Sequence, residues 1–345
     1  MFNPPKHSVT IKDIASKLKM SHSTVSRALN DHWKISKDTK ERVRKVADQL
    51  GYVANLSARL IRGDAGLQVG LLIPDIQNDF YSSISTMLAE RCRSAGIRLL
   101  LGITEDDPDT EQSEIRAMLE ARVSGLIATL TSKPRPGSLA LLQGRPSVQL
   151  VRRLPKLHTA AVCIADEIGC RMAVEHLFDL GHRRIAYVGT SKTISAGRDR
   201  VKGFLRAHAL RGLSPPAGAI ELVPPRQQFG MDAVARVLSL EPRPSAIVIG
   251  SSELTIGGLR MVRQAGLRIP EDISVVGYGD PVWFELLSPA LTAVSLPVEG
   301  LADAAAQRLF DQIRGGLGGK AGGPEIVRVE PKLVVRGSTA RFEGD

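Results

Sequence analysis

The sequence has few cysteines and lacks long apolar runs. Its three cysteines, Cys92, Cys163 and Cys170, form no Cys-x-x-Cys pair, and their odd number argues against a disulfide framework. No apolar run approaches the roughly 20 residues that span a bilayer. The amino terminus is polar and basic, without the apolar segment of a secretion signal. The seven histidines show no metal-ligand spacing. We therefore expect a cytoplasmic protein with no membrane span, metal or cofactor.

Aromatic residues make up only 4% of the chain, so aliphatic side chains must do most of the packing. With 345 residues, of which 43% are hydrophobic, the chain can form more than one compact unit. Its charge is concentrated at one end. Residues 1–63 contain eight Lys and five Arg against four Asp and one Glu, a net charge of +8 out of +10 for the whole chain. Such a local positive charge is typical of a nucleic-acid-binding segment.

The amino-terminal segment carries two short amphipathic helical patterns separated by a brief turn. Apolar residues recur at helical spacing in both, at Ile11, Ile14, Ala15 and Leu18, and then at Val25, Ala28 and Leu29. Ser21 is placed to cap a second helix that starts at His22. The outward face of that helix holds His22, Ser23, Ser26 and Arg27. An arginine can read guanine and small hydroxyls can reach phosphates, so the pattern predicts a helix-turn-helix.

A third helix is predicted to complete this small core. Ser36 can cap it, Gly51 can end it, and its buried stripe is Val43, Val46, Ala47 and Leu50. A basic helical bundle with a solvated surface is the alternative interpretation, because amphipathic basic helices are common. The combination of spacing, cap, short turn and outward polar residues favours DNA binding.

Residues 55–62 have helical propensity and an Asn cap, but the segment is shorter than the roughly 12 residues that an isolated helix needs. We expect it to fold only with a partner. Without the preceding motif, a flexible linker would be the simpler interpretation.

From Gln68 onward, short apolar runs alternate with helical patterns, and the rhythm restarts after Val162. Continuous apolar strands between helices predict parallel sheets covered on both faces. Two such sheets place a ligand crevice at the carboxyl ends of their strands.

Several motifs resemble the lactose/galactose-repressor (LacI/GalR) family over about residues 9–340. In the amino-terminal part they are residues 9–15, 23–30 and 50–55, and in the larger part they are residues 69–76, 180–189, 200–204 and 270–278. The resemblance implies an all-α helix-turn-helix head, followed by an α/β effector domain with the type I periplasmic-binding-protein fold and two parallel-sheet subdomains.

The resemblance also implies the domain boundaries. The head spans residues 1–54, a hinge helix and linker 55–66, and an effector-binding and dimerisation domain 67–340. We expect an N-subdomain at about 67–164 and 293–325, and a C-subdomain at about 165–292 and 326–340.

In the family, residues of the head and hinge contact DNA. By this resemblance, His22 and Ser23 are the variable base-reading positions and Arg27 reaches base edges. The hinge pairs with its copy and inserts an apolar wedge into the minor groove, and either Leu60 or Ile61 occupies the wedge position. The predicted DNA-binding set is Thr10, Ser21, His22, Ser23, Thr24, Ser26, Arg27, Asn30, Lys34, Ser36, Thr39, Tyr52, Asn55, Ala58, Arg59, Leu60 and Ile61.

The resemblance also implies a set of effector-binding residues. Arg200 matches the cleft arginine of the family, a donor suited to hydroxyls or carboxylates. The predicted set is Asp75, Phe80, Tyr81, Asp166, Arg200, Ser251, Ser252, Gly279, Asp280 and Trp283. Ser251 and Ser252 stand where Asn-Asp is common, and Gly279 stands where an Asp usually grips sugar hydroxyls. The loss of carboxylates beside a retained arginine favours an anionic effector, although these residues could equally be tolerated loop residues.

The resulting hypothesis is a homodimeric repressor of a carbohydrate or sugar-acid operon, released from a palindromic DNA operator by a small-molecule inducer. A solute-binding receptor of the periplasmic-binding-protein type is the alternative, but the basic head and the polar amino terminus oppose it. An enzyme using the same cleft is a third possibility. The sequence shows no nucleophile elbow, metal signature or phosphate loop, so we predict no catalytic residues.

Overall fold

The structure, a computed structural model, describes residues 9–29, 31–50, 52, 67–315 and 325–343. The chain forms two compact units, Met1–Gly66 and Leu67–Asp345. Within the described residues, no helix is both long and apolar enough to cross a membrane.

The first unit contains three helices, α1 (Ile11–Leu18), α2 (His22–Leu29) and α3 (Lys37–Gln49). Lys19 ends α1 in the left-handed region, with φ of 53°, and this makes the turn into α2 short. The six buried apolar residues of this unit come in pairs from the three helices: Ile14, Ala15, Val25, Ala28, Val43 and Ala47. The predicted helix-turn-helix with a third packing helix is confirmed.

In the second unit, the first sheet contains β1 (Gln68–Ile73), β2 (Arg98–Ile103), β3 (Gly125–Ala128), β4 (Ser147–Leu150), β5 (Ala160–Ile164) and β11 (Ile326–Val329). Their order is β11-β5-β4-β3-β1-β2, and all neighbours pair in parallel. Strands β1, β3 and β4 are buried along their whole length, as parallel strands covered by helices must be.

The second sheet contains β6 (Ile185–Gly189), β7 (Ile220–Leu222), β8 (Ala246–Ile249), β9 (Ser274–Gly279), β10 (Thr292–Ser295) and β12 (Lys332–Val334). Their order is β12-β10-β9-β8-β6-β7. Only β12 is antiparallel to its neighbour. The predicted fold class, with two parallel-sheet subdomains, is confirmed.

The described helices of the second unit cover these sheets. They are α4 (Asp79–Ser94), α5 (Pro108–Glu120), α6 (Pro136–Leu142), α7 (Asp166–Asp179), α8 (Ser195–Leu210), α9 (Gln227–Leu238), α10 (Ser252–Gln264) and α11 (Val298–Gly315), together with a short 3-10 turn, Val282–Phe284. The buried face of α11 packs into the first sheet's core, through residues such as Leu301, Ala305 and Leu309. The sequence analysis did not predict α11.

The strand pairing corrects the predicted division of this unit at two places. Residues 293–295 were expected in the N-subdomain, but β10 pairs with β9 and β12 in the second sheet. Residues 326–329 were expected in the C-subdomain, but β11 pairs with β5 in the first sheet. The chain therefore crosses between sheets after β5, after β10 and after β11. Both strands are apolar edge or near-edge segments, and their composition alone does not specify which sheet they join.

Candidate functional sites

Helix α2 exposes a polar face while its other side is anchored in the core. Val25 and Ala28 are fully buried, and this fixes the rotation of the helix. His22, Ser23 and Arg27 are exposed, and Ser26 is partly exposed. The structure therefore brings these predicted DNA contacts together on one surface that a groove can accept.

Hydroxyl groups shape the starts of α2 and α3. The Ser21 hydroxyl accepts the Thr24 N–H at 3.1 Å and contacts the Thr24 hydroxyl at 2.8 Å. The Ser36 hydroxyl accepts the Thr39 N–H at 3.3 Å. The predicted caps at Ser21 and Ser36 are confirmed. At the start of α1, the Asp13 carboxylate accepts both the N–H and the hydroxyl of Thr10 at 2.7 Å.

The loop between α2 and α3 presents an aromatic residue that the sequence analysis did not select. Trp33 is 80% exposed and stacks on His32, with ring centroids 5.8 Å apart. The Lys34 ammonium, a predicted DNA contact, lies 5.0 Å from the Trp33 ring centroid. Tyr52, also predicted, packs partly buried against the helical core. The predicted contacts Asn30, Asn55, Ala58, Arg59, Leu60 and Ile61 lie outside the described residues.

A buried ion pair stands at the carboxyl edge of the second sheet. The Arg200 Nε donates to Asp166 Oδ1 at 2.7 Å, and its Nη1 donates to the Gly250 carbonyl at 2.6 Å. The Tyr278 hydroxyl donates to the same Asp166 oxygen at 2.7 Å, and the Arg200 guanidinium lies 4.0 Å from the Tyr278 ring centroid. Two predicted effector residues, Arg200 and Asp166, are therefore in direct contact.

Burial governs the electrostatics of this pair. The Asp166 side chain is only 2% exposed. Burial raises the pKa of the Asp166 carboxyl, while the Arg200 charge and the hydrogen bonds from Arg200 and Tyr278 oppose that rise. The Arg200 guanidinium stays protonated, so it supplies the compensating charge that a buried carboxylate requires. Its Nη2 makes no hydrogen bond within the described part of the chain, and this leaves a donor for a ligand.

The predicted aromatic wall belongs to the start of α4. Phe80 and Tyr81 are partly buried against the first sheet's core, with ring centroids 5.1 Å apart. Burial raises the pKa of the Tyr81 phenol, and the charges of Arg152 and Arg200 counteract this effect. The Tyr81 hydroxyl therefore lies near arginines from both subdomains.

Arg152 was not predicted as a site residue. It is 8% exposed, and its Nη1 pairs with Asp106 and donates to the Leu130 carbonyl. The sequence signal was the pair Arg152-Arg153, which directly follows the apolar run of β4. Arginines at the carboxyl end of a parallel strand point to a ligand crevice.

A strained turn orients Arg152. Val151 has φ of 63°, and the Arg152 N–H donates to the Leu150 carbonyl at 2.6 Å, which makes Val151 the centre of a γ-turn. A β-branched residue at positive φ costs about 1–3 kcal/mol and persists only where its surroundings enforce it. Here the Val151 N–H donates to the Val162 carbonyl at 2.8 Å, which ties the turn to β5.

Two of the substituted positions, Ser252 and Gly279, lie next to each other. A Cβ at Gly279 would be 3.7 Å from the Ser252 Cβ, and Gly279 has φ of 130°, a conformation that favours glycine. Backbone conformation therefore explains the glycine at this position. The neighbouring Ser251 caps α10, since its hydroxyl accepts the Leu254 N–H at 3.3 Å.

The structure does not bring Asp280 to Arg200. Asp280 Oδ1 instead accepts from Arg336 Nη1 at 2.7 Å, and Arg336 also donates to the Leu291 carbonyl and to Glu285. The sequence analysis considered Asp280 as a substitute for the missing cleft carboxylate. Its pairing with a distant residue of the chain is the physical reason for correcting that interpretation.

Trp283 and Asp75 occupy different positions along the cleft. The Trp283 Nε1 donates to Asp79 Oδ2 at 3.3 Å, a hydrogen bond between the two subdomains. Asp75 is exposed, and its carboxylate accepts the Gln77 N–H at 2.8 Å within the loop after β1. Among the described residues, no group of three or more His, Cys, Asp or Glu side chains could hold a metal ion.

Comparison with known proteins assigns both units. Residues 10–55 match the family described as bacterial regulatory proteins, lacI family, and residues 174–339 match the family described as periplasmic binding protein-like domain. The HTH-type transcriptional regulator DegA of Bacillus subtilis (strain 168) is 28% identical over 335 residues, which cover 96% of this chain and 98% of DegA. The HTH-type transcriptional repressor PurR of Klebsiella pneumoniae (strain 342) is also 28% identical over 335 residues, covering 96% of this chain and 97% of PurR.

Among solved structures, the lac repressor dimer bound to operator and the anti-inducer ONPF has the same fold. Its TM-score is 0.83 at 24% sequence identity, and the match covers 97% of this chain and 100% of that one.

Together, the fold, the exposed helix α2 and these relatives define a DNA-binding transcriptional regulator with a periplasmic-binding-protein-like domain, and not an enzyme. The chain belongs to the lacI family of bacterial regulatory proteins, the LacI/GalR family. The predicted family membership is confirmed.

Proposed function

We propose that this regulator is a cytoplasmic homodimeric repressor of a carbohydrate or sugar-acid utilisation operon, and that a small-molecule inducer releases it from a palindromic operator. The observation that carries the proposal is the exposed face of α2, with His22, Ser23 and Arg27 on a helix whose other side is buried. Two copies related by a twofold axis would present this face to two half-sites.

Exposed apolar side chains support the proposed dimer. Strand β2 is the edge strand of the first sheet, and its Leu101 and Ile103 are 45% and 37% exposed. Val282 and Leu286, near the end of β9, are also largely exposed. An uncovered apolar sheet edge favours association with another chain. The lac repressor structure, which this fold resembles, is itself a dimer on its operator.

Contacts across the cleft support control by an effector. The Trp283 indole of the C-subdomain donates to Asp79 of the N-subdomain. The Ser195 hydroxyl likewise accepts the Arg153 N–H at 2.8 Å. A ligand bound between the sheets would favour one arrangement of these contacts over another. In this proposal, the changed arrangement alters the pairing of the two hinge segments and thereby DNA affinity.

Operator binding is tested by a gel shift with the promoter region beside the gene. We expect tight binding to an inverted repeat and an affinity that falls steeply with rising salt, because phosphate contacts release counterions. A scrambled repeat of equal length and composition is the control. A solute receptor would bind neither DNA, so equal weak binding to both fragments would overturn the proposal.

We further propose that the effector is an anion, such as a sugar acid or sugar phosphate. The cleft carboxylates of Asp166, Asp106 and Asp280 are each paired with an arginine. Arg200 nevertheless retains an unused Nη2, so the cleft offers a donor for a ligand carboxylate or phosphate.

Calorimetry with sugar acids, sugar phosphates and neutral hexoses tests the effector class. We expect an acid to bind and Arg200→Lys to weaken that binding roughly 10-fold or more, because lysine keeps the charge beside Asp166 but loses the planar fork. Arg145→Lys, at an exposed position outside the cleft, should leave the affinity unchanged. Tight binding of a neutral hexose with no binding of any acid would contradict the anionic class while leaving operator binding intact.

A further inference from the structure

A second pocket lies at the junction of the two subdomains. It encloses about 80 Å³, room for roughly two or three waters. Its first-subdomain wall contains Val151, Arg153 and Cys163, and its second-subdomain wall contains Ser195 and Arg198. Arg328 of β11 completes the lining. None of the three arginines was among the predicted effector residues.

The pocket has an excess of positive charge. Arg153 and Arg328 form no ion pair within the described residues, and Arg198 is only loosely paired with Asp199 at 4.0 Å. The other acidic side chain in the lining, Asp166, is neutralised by Arg200. Three arginines against one remaining carboxylate give the pocket a local charge of about +2.

The other groups around the pocket also suit an anion. Helix α8 begins here without a side-chain cap, because its N-cap residue is Ile194. Its first N–H groups are therefore not satisfied by a capping side chain. The pKa of the Cys163 thiol is raised to about 12 by burial, so the thiol adds no competing negative charge near neutral pH.

We propose that this pocket binds a phosphate group and that the bound anion holds the two subdomains together. Arg153 and Arg328 belong to the first subdomain and Arg198 to the second, so one dianion would attract cations from both. The lining of an adjoining groove of about 720 Å³ also includes Asp199 and Arg328, which gives space for the remainder of a phosphorylated metabolite. The ligand chemistry is therefore phosphate, either free or carried on a small metabolite.

The test measures binding to the full-length protein by calorimetry at constant ionic strength. The probes are inorganic phosphate and glycerol 3-phosphate. We expect saturable binding that Arg328→Gln and Arg153→Gln each weaken at least 10-fold. Arg145→Gln, which removes an equal charge outside the pocket, should have no effect. Tighter binding of glycerol 3-phosphate than of phosphate would assign the pocket to a metabolite, and the reverse would assign it to the free ion.

A further variant separates this pocket from the proposed effector cleft. Arg200→Lys should leave phosphate affinity unchanged, although the same variant is expected to weaken effector binding. Phosphate binding that depends on Arg200 but not on Arg328 would overturn the second pocket and place the anion in the effector cleft. An absence of saturable binding, or an equal loss in Arg145→Gln, would also overturn it. Circular dichroism of Arg328→Gln verifies that a loss of binding does not reflect unfolding.

Discussion

Asp166→Ala is expected to lower the free energy of unfolding of the second unit by about 3–5 kcal/mol. The substitution leaves the Arg200 guanidinium buried without its carboxylate, since the Gly250 carbonyl is the other hydrogen-bond partner it has among the described residues. It also removes the acceptor of the buried Tyr278 hydroxyl. An uncompensated buried charge is among the few defects that produce losses of this size.

Urea denaturation followed by circular dichroism measures this loss. The matched control is Glu175→Ala, which removes a carboxylate from the same helix, α7. Glu175 pairs with Arg171 one turn away, and both side chains are about 30% exposed. A helical pair of this kind contributes about 0.3–0.5 kcal/mol. If the two variants are destabilised equally, Asp166 and Arg200 do not form the buried pair described above.

This contact also determines how the cleft should be studied. Arg200→Ala would combine a lost ligand contact with an unpaired buried Asp166, so an altered effector response in that variant would be ambiguous. Arg200→Lys avoids this problem because it retains the positive charge next to the carboxylate.

Arg27→Ala is expected to weaken operator binding by about 1–3 kcal/mol, roughly 5- to 150-fold, and to relax discrimination at one base pair. Arg27 is exposed on the outward face of α2, so its truncation leaves the Val25 and Ala28 packing unchanged. The loss is therefore expected in DNA binding and not in folding. Gel shifts against operators substituted at each position measure both affinity and preference.

Arg42→Ala is the control for Arg27→Ala. It removes the same charge from an exposed position on α3. Loss of a general electrostatic contact should weaken binding to all sequences alike and reduce the salt dependence. We therefore expect Arg42→Ala to leave base preference unchanged. An unchanged base preference in Arg27→Ala as well would remove Arg27 from the base-reading residues.

The head was predictable because its signals are local. Apolar residues three and four apart define the buried faces of α1 and α2, and the Ser21 and Ser36 hydroxyls cap helices within three residues of themselves. Each helix therefore carries its own start, stop and orientation in a short stretch of sequence. The alternating strands and helices of the larger unit were predictable for the same reason.

The assignment of β10 and β11 to sheets was not predictable in this way. Each is a four-residue segment, and its partner strand lies elsewhere in the chain: β11 pairs with β5, more than 160 residues earlier. An apolar strand fits the edge of either sheet equally well by composition. Which edge it joins depends on the packing of the helices around it.

The charged residues of the cleft show the same division. The sequence placed Arg200, Asp166 and Tyr81 in one region through the family resemblance. It did not reveal that Arg336 pairs with Asp280 across 56 positions, or that a γ-turn at Val151 directs Arg152. Ion pairs between distant segments form only after the sheets have assembled, and a strained φ persists only where surrounding contacts enforce it.

The linear order of residues by itself thus determined the class of this protein: a basic three-helix head and two parallel sheets, each specified by periodicity, caps and charge within short windows. Tertiary structure decided how the cleft charges are distributed, because Asp166, Asp106 and Asp280 acquire their arginine partners only when separate elements meet. It also gathered Arg153, Arg198 and Arg328 at the subdomain junction. Coulombic interaction depends on distance in space, and separation along the chain does not specify that distance.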